Sequence, residues 1–379
     1  MAYRISETAE ELRKDIHTFC EKSVKEACKA YDRSGEWPVE MYEQAIEMQL
    51  HTLEVPEEYG GPGLSRVDTA ALFEEMAKAD AGFATTISAS GLALKAVLIG
   101  GTEEQKQRYC EKVLDGEWGA FCLTEPNAGS DAGASKTTAV YDNGNYILNG
   151  KKCFITNGGV AGFYVVTAVT EKGKGVKGIS AFVIDRGTPG LSSGAHEDKM
   201  GIRTSNTTDV NLENCRIPAS CMLGSAGEGY AIAMKTLDQA RAWIGCIAVG
   251  IAQRGIDEAV CYGRERTAFG KPILANQALQ FKIADMEIGT ESARQMVSHA
   301  LALMDAGLPF QKESAIAKCY ASDVAMRVTS EAIQIFGGYG YSREFPVEKL
   351  LRDAKICQIY EGTNEIQRMV ISRSVIGKL

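Results

Sequence analysis

The hydrophobic period of this chain changes twice, and those two changes limit what it can fold into more than any other feature. Over residues 1–118 apolar side chains recur mostly at three and four: Leu12, Ile16, Phe19, Cys20, Val24, Ala27 and Tyr31 make one stripe, the signature of an amphipathic helix. Thr8 with Glu11 is placed to cap it. Pro38 opens a second segment that ends near Leu50, and Pro56-Glu57-Glu58-Tyr59-Gly60-Gly61-Pro62-Gly63 breaks the pattern. Helices are then predicted over about 65–80, 83–99 and Glu103–Leu114. At Trp118 the pattern becomes alternating and rich in turn signals until about residue 223. Asp142-Asn143-Gly144-Asn145 and Asn149-Gly150 read as hairpin turns. The apolar runs 163–169 and 179–184 read as buried strands. From about Gly224 long helices return, over residues 230 to about 267, 277 to about 306 and 311 to 336. The pattern predicts an α+β multidomain chain: an N-terminal helical domain (1–118), a middle β domain (119–223) and a C-terminal helical bundle domain (224–379).

Several functions are argued against at this level. A net charge of −8 gives no basic surface for nucleic acid. No apolar run approaches the roughly 20 residues of a membrane span. The start, Met1-Ala2-Tyr3-Arg4-Ile5-Ser6-Glu7, has neither a signal-peptide core nor an Arg-rich transit pattern. Eleven scattered cysteines without Cys-x-x-Cys suit reduced thiols in a cytoplasm. The four histidines, His17, His51, His196 and His299, have no metal-ligand spacing, so no metal site is expected. No Gly-x-Ser-x-Gly elbow occurs. Gly173-Lys174-Gly175-Val176-Lys177-Gly178 matches Gly-x-Gly-x-x-Gly, but a strand follows it where the dinucleotide fingerprint needs a helix. It reads as a hairpin loop, and the chemistry must lean on another cofactor.

The candidate catalytic residue is Glu361, within Ile359-Tyr360-Glu361-Gly362-Thr363-Asn364-Glu365-Ile366-Gln367. Apolar neighbours would desolvate its carboxylate and raise the pKa from about 4.3. The helix that follows, N-capped by Asn364 with Gln367 as capping-box partner, would favour the anion instead. The alternative is that Glu361 is one acid among 49, at a helix start where acids are common. Phe121-Cys122-Leu123-Thr124-Glu125-Pro126-Asn127-Ala128-Gly129-Ser130-Asp131 is a strand running into a turn whose amides and hydroxyls suit a polar heterocycle or a pyrophosphate, or an ordinary loop. The small-residue run 84–91 suits either close helix packing or a ligand wall. Asp238 and Arg241, three apart on a helix face, read alone as a surface ion pair worth little.

Taken together, these strings resemble the acyl-CoA dehydrogenase flavoprotein family over essentially the whole chain, its short-chain (butyryl-CoA) members above all. The resemblance implies a helical domain, a β-barrel-like domain and a four-helix bundle. It implies FAD as cofactor, an acyl-CoA or enoyl-CoA substrate and an electron-transferring flavoprotein as partner, in a cytoplasmic homotetramer with no nucleic acid and no membrane span. Glu361 would remove the α-proton while the β-hydrogen leaves as hydride to the flavin. Alanine at 240 excludes the alternative base that isovaleryl-type relatives carry there. Phe121, Leu123, Thr124, Gly129 and Ser130 would hold the flavin, Ser130 touching substrate as well. Phe154, where many relatives have tryptophan, would cover the ring system, and the Thr156 hydroxyl would lie near flavin N5. Arg266, Phe269, Gln277, Gln334, Gly337 and Gly338 would hold the ADP half of an FAD bound mainly to a neighbouring subunit, with Thr363 and Glu365 also on the cofactor. Asp238, Arg241 and Gly362 would face the substrate. The loop Lys199-Met200-Gly201-Ile202-Arg203-Thr204 matches a family segment in which Arg203 is structural or functional. The acyl tail is expected between residues 85–91 and the helix of Ala240 and Trp243. Trp243 either closes that pocket, favouring short chains, or faces the core. The same site running backwards is an enoyl-CoA (acrylyl- or aryl-acrylyl-CoA) reductase. The rivals are an acyl-CoA oxidase, usually a much longer chain, and a non-catalytic flavin or CoA scaffold, which would not need Glu361.

Overall fold

A computed structural model describes residues 5–377. Residues 1–4, which carry part of the targeting-sequence reading, lie outside the described residues, as do 378 and 379. Helix α1 (Glu7–Phe19) starts at Ser6, whose Oγ accepts from the Ala9 amide at 3.2 Å. The expected cap at Thr8 is displaced because Ser6 is the last residue with extended backbone and so faces the free amides. One π-helical turn (Cys20–Val24) carries the chain into α2 (Lys25–Ser34). After α3 (Val39–Glu47), α4 (Arg66–Ala79) is capped by Ser65, and α5 (Ala81–Gly100) by Asp80. A Thr102/Gln105 capping box starts α6 (Glu103–Leu114).

The alternating region is one eight-stranded sheet: β1 (Gly119–Cys122), β2 (Thr138–Asp142), β3 (Asn145–Thr156), β4 (Phe163–Val169), β5 (Ile179–Asp185), β6 (Leu191–His196), β7 (Thr207–Pro218) and β8 (Met222–Leu223). Its order is β6-β7-β3-β2-β4-β5-β8, with β1 parallel to β4. Asn143-Gly144 turns β2 into β3 with both residues at positive φ, the hairpin geometry this dipeptide favours. Asn149-Gly150 is not a second hairpin turn. It lies inside β3 as an irregularity opposite β7, because the twelve-residue strand bends there rather than reversing. A second irregularity between Lys152 and Ile155 puts Phe154 at φ 56° and turns its ring outward. The glycine-lysine loop joins β4 to β5 as a short 3₁₀ turn.

The C-terminal helices are α7 (Gly229–Glu265), α8 (Gln277–Asp305), α9 (Gln311–Phe336), α10 (Val347–Cys357) and α11 (Asn364–Ile376); a two-residue hairpin, β9 (Thr267–Ala268) and β10 (Lys271–Pro272), follows α7. Helices α4 and α5 pack on α7, so both helical parts share one core containing Phe73, Ile87, Trp243, Ile247, Leu301 and Phe336. The sheet has its own interior around Leu148, Val166, Phe182 and Leu212. The loop after β6 ties the parts together. Arg203 Nε donates to Asp32 O at 2.6 Å and the Ile202 amide to Asp353 Oδ1 at 2.6 Å. Arg203 is therefore a structural strut. Among the described residues one helix, α5, is long and apolar enough to cross a membrane, against the sequence expectation of no such run; 83% of that window is buried inside the protein, so it is a core helix.

Candidate active site

Helix α10 delivers the chain to a tight reversal in which two successive residues, Glu361 (φ 54°) and Gly362 (φ 89°), are left-handed. Glycine adopts this at no steric cost, but for glutamate it is strained by about 1–3 kcal/mol. The surroundings hold it in place. Lys318 Nζ donates to Gly362 O at 2.8 Å, Gln367 Nε2 to the same oxygen at 2.8 Å, and Gln367 Nε2 to Glu361 O at 3.1 Å. Helix α11 is capped by Thr363, whose side chain accepts from the Ile366 amide, rather than by Asn364. Asn364 and Gln367 are drawn inward instead. Asn364 bonds Ser322 (2.9 Å), Asp323 (2.8 Å) and Lys318 (3.1 Å) and so fastens the turn to α9, while Gln367 ties it to α11.

The Glu361 carboxylate has no such partner: its Oε2 is buried without a hydrogen bond among the described residues. Its own amide is likewise free of any partner there. Burial pushes the Glu361 pKa up to about 7, against the opposing charges of Lys318, Lys95 and Arg241. Burial in turn pulls Lys318 down to about 8. Tyr360 sits beside α5, its hydroxyl 3.4 Å from Thr85 Oγ1. Arg241 is not at the surface. It is buried, 2.6 Å from Asp238, and its charge reaches Glu361. A carboxylate poised near neutrality and a free amide one residue from a flexible glycine can take a proton and polarise a carbonyl together.

Around the end of β1, Phe121, Leu123 and Thr124 are half-buried, and Gly129 and Ser130 are exposed, with open space where a Gly129 side chain would stand. Phe154 offers an exposed ring and Thr156 ends β3 opposite Thr207. A buried ion pair fixes this region: Lys152 Nζ lies 2.7 Å from Glu125 and 3.1 Å from Leu123 O. Burial would raise the Glu125 pKa, but Lys152 and the Lys136 amide hold it down at about 2. The remaining residues line a different surface. Arg266, Gly337 and Gly338 border a cleft of about 590 Å³ with Tyr262, Phe336 and Tyr339. Arg266 stacks over Tyr339 at 5.6 Å. Gln334 is exposed one turn before that cleft, Gln277 begins α8, and Phe269 is fully exposed at the tip of the β9–β10 hairpin. Glu365 is exposed in the first turn of α11. Open glycines, outward aromatic rings and an arginine-lined cleft fit a large cofactor with an aromatic and an anionic end.

Three segments of the chain, residues 6–117, 120–215 and 227–376, match the N-terminal, middle and C-terminal domains of acyl-CoA dehydrogenase. The chain belongs to the acyl-CoA dehydrogenase family. An acryloyl-CoA reductase (NADH) of Anaerotignum propionicum is 45% identical, with 100% of this chain and 97% of that protein covered. Butyryl-CoA dehydrogenase of Megasphaera elsdenii superposes with a TM-score of 0.97 at 43% identity, covering 99% of this chain and all of that one. A chain solved in work on the electron transferring flavoprotein of Acidaminococcus fermentans and flavin-based electron bifurcation superposes equally well, at 0.97 and 44% identity over the whole of both chains. This acyl-CoA dehydrogenase is thus an oxidoreductase acting on acyl-CoA, with FAD as its cofactor.

The motif reading missed the groups that set the site's electrostatics: Lys318, Lys95 and the Lys152–Glu125 pair. One signal was available. Lys95 stands alone in Gly91-Leu92-Ala93-Leu94-Lys95-Ala96-Val97 and Lys318 in Ala315-Ile316-Ala317-Lys318-Cys319. A single lysine in an apolar helical run is rarely left without a partner.

Proposed function

We propose that this enzyme removes the α-proton of a short-chain acyl-CoA with Glu361, giving the trans-2-enoyl-CoA, and passes the electrons to an electron-transferring flavoprotein. The observation that carries this reading is the Glu361 carboxylate, whose Oε2 is buried and unpartnered among the described residues, beside its own free amide. In a structural ion pair such a carboxylate would be satisfied and its pKa low. FAD, when bound, supplies the acceptor for the hydride leaving the β-carbon. The chain's residues do the rest. Glu361 receives the α-proton on its carboxylate, its amide donates to the thioester oxygen as negative charge develops, and Lys318 with Gln367 keeps the turn from relaxing. Leu123, Thr124, Ser130, Phe154 and Thr156 hold the ring end of the cofactor.

Activity should follow the ionisation of Glu361. A base must be deprotonated to act, so flavin reduction rises with pH through about 7 and levels off above it. A stopped-flow profile flat from pH 5.5 to 8.5 would contradict that assignment. The reading as a whole is tested by anaerobic titration with butyryl-CoA and longer homologues. Flavin bleaching, followed by reoxidation on adding an electron-transferring flavoprotein, is expected. Absence of bleaching with every chain length would leave only a scaffold. The relative from Anaerotignum supports a second reading, reduction of an enoyl-CoA by the same groups in reverse.

Arg266, Phe269, Gln277, Gln334, Gly337 and Gly338 serve the pyrophosphate and adenosine end of a cofactor bound mainly to a neighbouring subunit, in a homotetramer. Exposed Phe269, Phe281, Ile288 and Val375 on the C-terminal helices and hairpin support such an interface. Arg266→Ala should then lose FAD and lower the sedimentation mass together; a fully flavinylated variant of unchanged mass would remove the role. The eleven cysteines, none paired, are in keeping with a reducing cytoplasm.

A further inference from the structure

Along α5 residual solvent exposure follows one face. Thr85 is 4% exposed and Ser88, Leu92 and Lys95 are 8%, with Ala89 more open still, while Thr86, Ser90 and Ala93 on the other side, and Ala96 one turn beyond Leu92, are at 0%. The spacing of three and four marks a narrow crevice running along the helix from Thr85, beside Tyr360 and Glu361, toward Lys95. Helix α7, which packs on α5, carries Ala240 and Ile244, one turn apart and each 4% exposed. From Thr85 to Lys95 the helix rises about 15 Å, and a lysine side chain leans back about one turn, so the crevice extends on the order of 10 Å.

Its far end is polar. Lys95 Nζ is ion-paired with Glu54 and stands 5.3 Å from the centroid of the Trp243 ring. Glu54 reaches this place because residue 91 is glycine; a Cβ there would lie 1.6 Å from Glu54 Oε2. Two buried atoms around this lysine have no hydrogen-bond partner among the described residues: Glu54 Oε2, an acceptor, and Trp243 Nε1, a donor. The Glu54 side chain is 7% exposed and Trp243 2%. Unpaired buried polar atoms are costly, so a matching ligand group gains more here than in water.

We propose that this end of the crevice binds an uncharged hydroxyl, of an alcohol or a phenol, carried at the distal end of the acyl group. The assignment rests on the reading of the site as an acyl-CoA dehydrogenase. A hydroxyl donates to Glu54 Oε2 and accepts from Trp243 Nε1, the two orphaned atoms. A distal carboxylate would meet the Glu54 charge, and a plain alkyl end would leave both atoms unpaired. Trp243 then acts through its indole N–H as well as through its bulk.

The test compares matched substrates in anaerobic flavin reduction: n-acyl-, ω-hydroxyacyl- and ω-carboxyacyl-CoA at each length from four to eight carbons, and phenylpropionyl- against hydroxyphenylpropionyl-CoA. At the best length the hydroxylated member should lead in kcat/KM by roughly tenfold or more, because a site built for a hydroxyl rejects analogues lacking one. In the Glu54→Met/Lys95→Met double variant the order should invert in favour of the plain acyl group. Trp243→Phe, which removes only the N–H, should shrink the preference should the double variant fail to fold. A wild type that prefers the plain or the carboxylated partner throughout would overturn the proposal, as would a hydroxyl preference untouched by these substitutions. Absence of bleaching with any acyl-CoA would instead overturn the dehydrogenase reading beneath it.

Discussion

Glu361→Gln is expected to bind FAD and acyl-CoA as the wild type does, yet to reduce its flavin about 10²–10⁴-fold more slowly. The substitution keeps the shape of the side chain and removes only the proton-accepting charge. It should not unfold the turn, because the bonds that hold this reversal come from Lys318 and Gln367 to main-chain oxygens, not to the carboxylate. The Oε2 atom has no hydrogen-bond partner among the described residues to lose. The measurement is single-turnover flavin reduction under anaerobic conditions, with FAD content and acyl-CoA affinity determined alongside. A rate within about tenfold of wild type, well short of the loss of a general base, would mean that another group takes the proton.

Lys152→Met should cost about 3–5 kcal/mol of stability and much of the bound FAD. Lys152 is fully buried, and its removal leaves the Glu125 carboxylate without its ion-pair partner inside the sheet. The same ammonium holds Leu123 O at the end of β1, so the main chain proposed to receive the flavin loses its anchor. The double variant Lys152→Met/Glu125→Gln removes the stranded charge and should recover a large part of the stability. Its FAD affinity should recover less, since the bond to Leu123 is still missing. Denaturant unfolding of the three proteins separates the two effects. Equal stability of the single variant and the wild type would show that the pair contributes nothing.

The elements that could be read from the sequence are those whose pattern is local. Glu103–Leu114 and Gln311–Phe336 carry both their period and their end signals within the segment, and they form as expected. The capping residues were harder. Ser6 and Thr363 take positions that Thr8 and Asn364 seemed equally suited to fill. The choice depends on which residue is last to be extended and on what else wants the side chain. Asn364 is claimed by Ser322, Asp323 and Lys318, contacts across more than forty residues that no local pattern contains. Asn149-Gly150 was misread for the same reason: only the pairing of β3 with β7 distinguishes a bend from a reversal.

The segment around Glu361 was legible as a string, but its electrostatics were not. A carboxylate before a helix start could have been stabilised as an anion. Burial outweighs that, and it does so against the charges of Lys95 on α5, Arg241 on α7 and Lys318 on α9, all distant in sequence. Asp238 and Arg241 looked like a surface pair because a three-residue spacing gives a face without saying what covers it. Arg241 is covered. Trp243 packs in the core on Phe73 at 5.4 Å with Lys95 over its ring, contacts that its place on a helix face does not reveal.

The central claim is that a carboxylate at position 361 takes the proton from the α-carbon as the flavin is reduced. Its most direct test is the rate of anaerobic flavin reduction with the fastest-bleaching acyl-CoA, protiated against α-dideuterated, measured on both sides of pH 7. A primary isotope effect from the α-position is predicted, on a rate that climbs as Glu361 ionises. An α-deuterated substrate that reduces the flavin as fast as the protiated one, with no change in rate from pH 6 to 8, would contradict it.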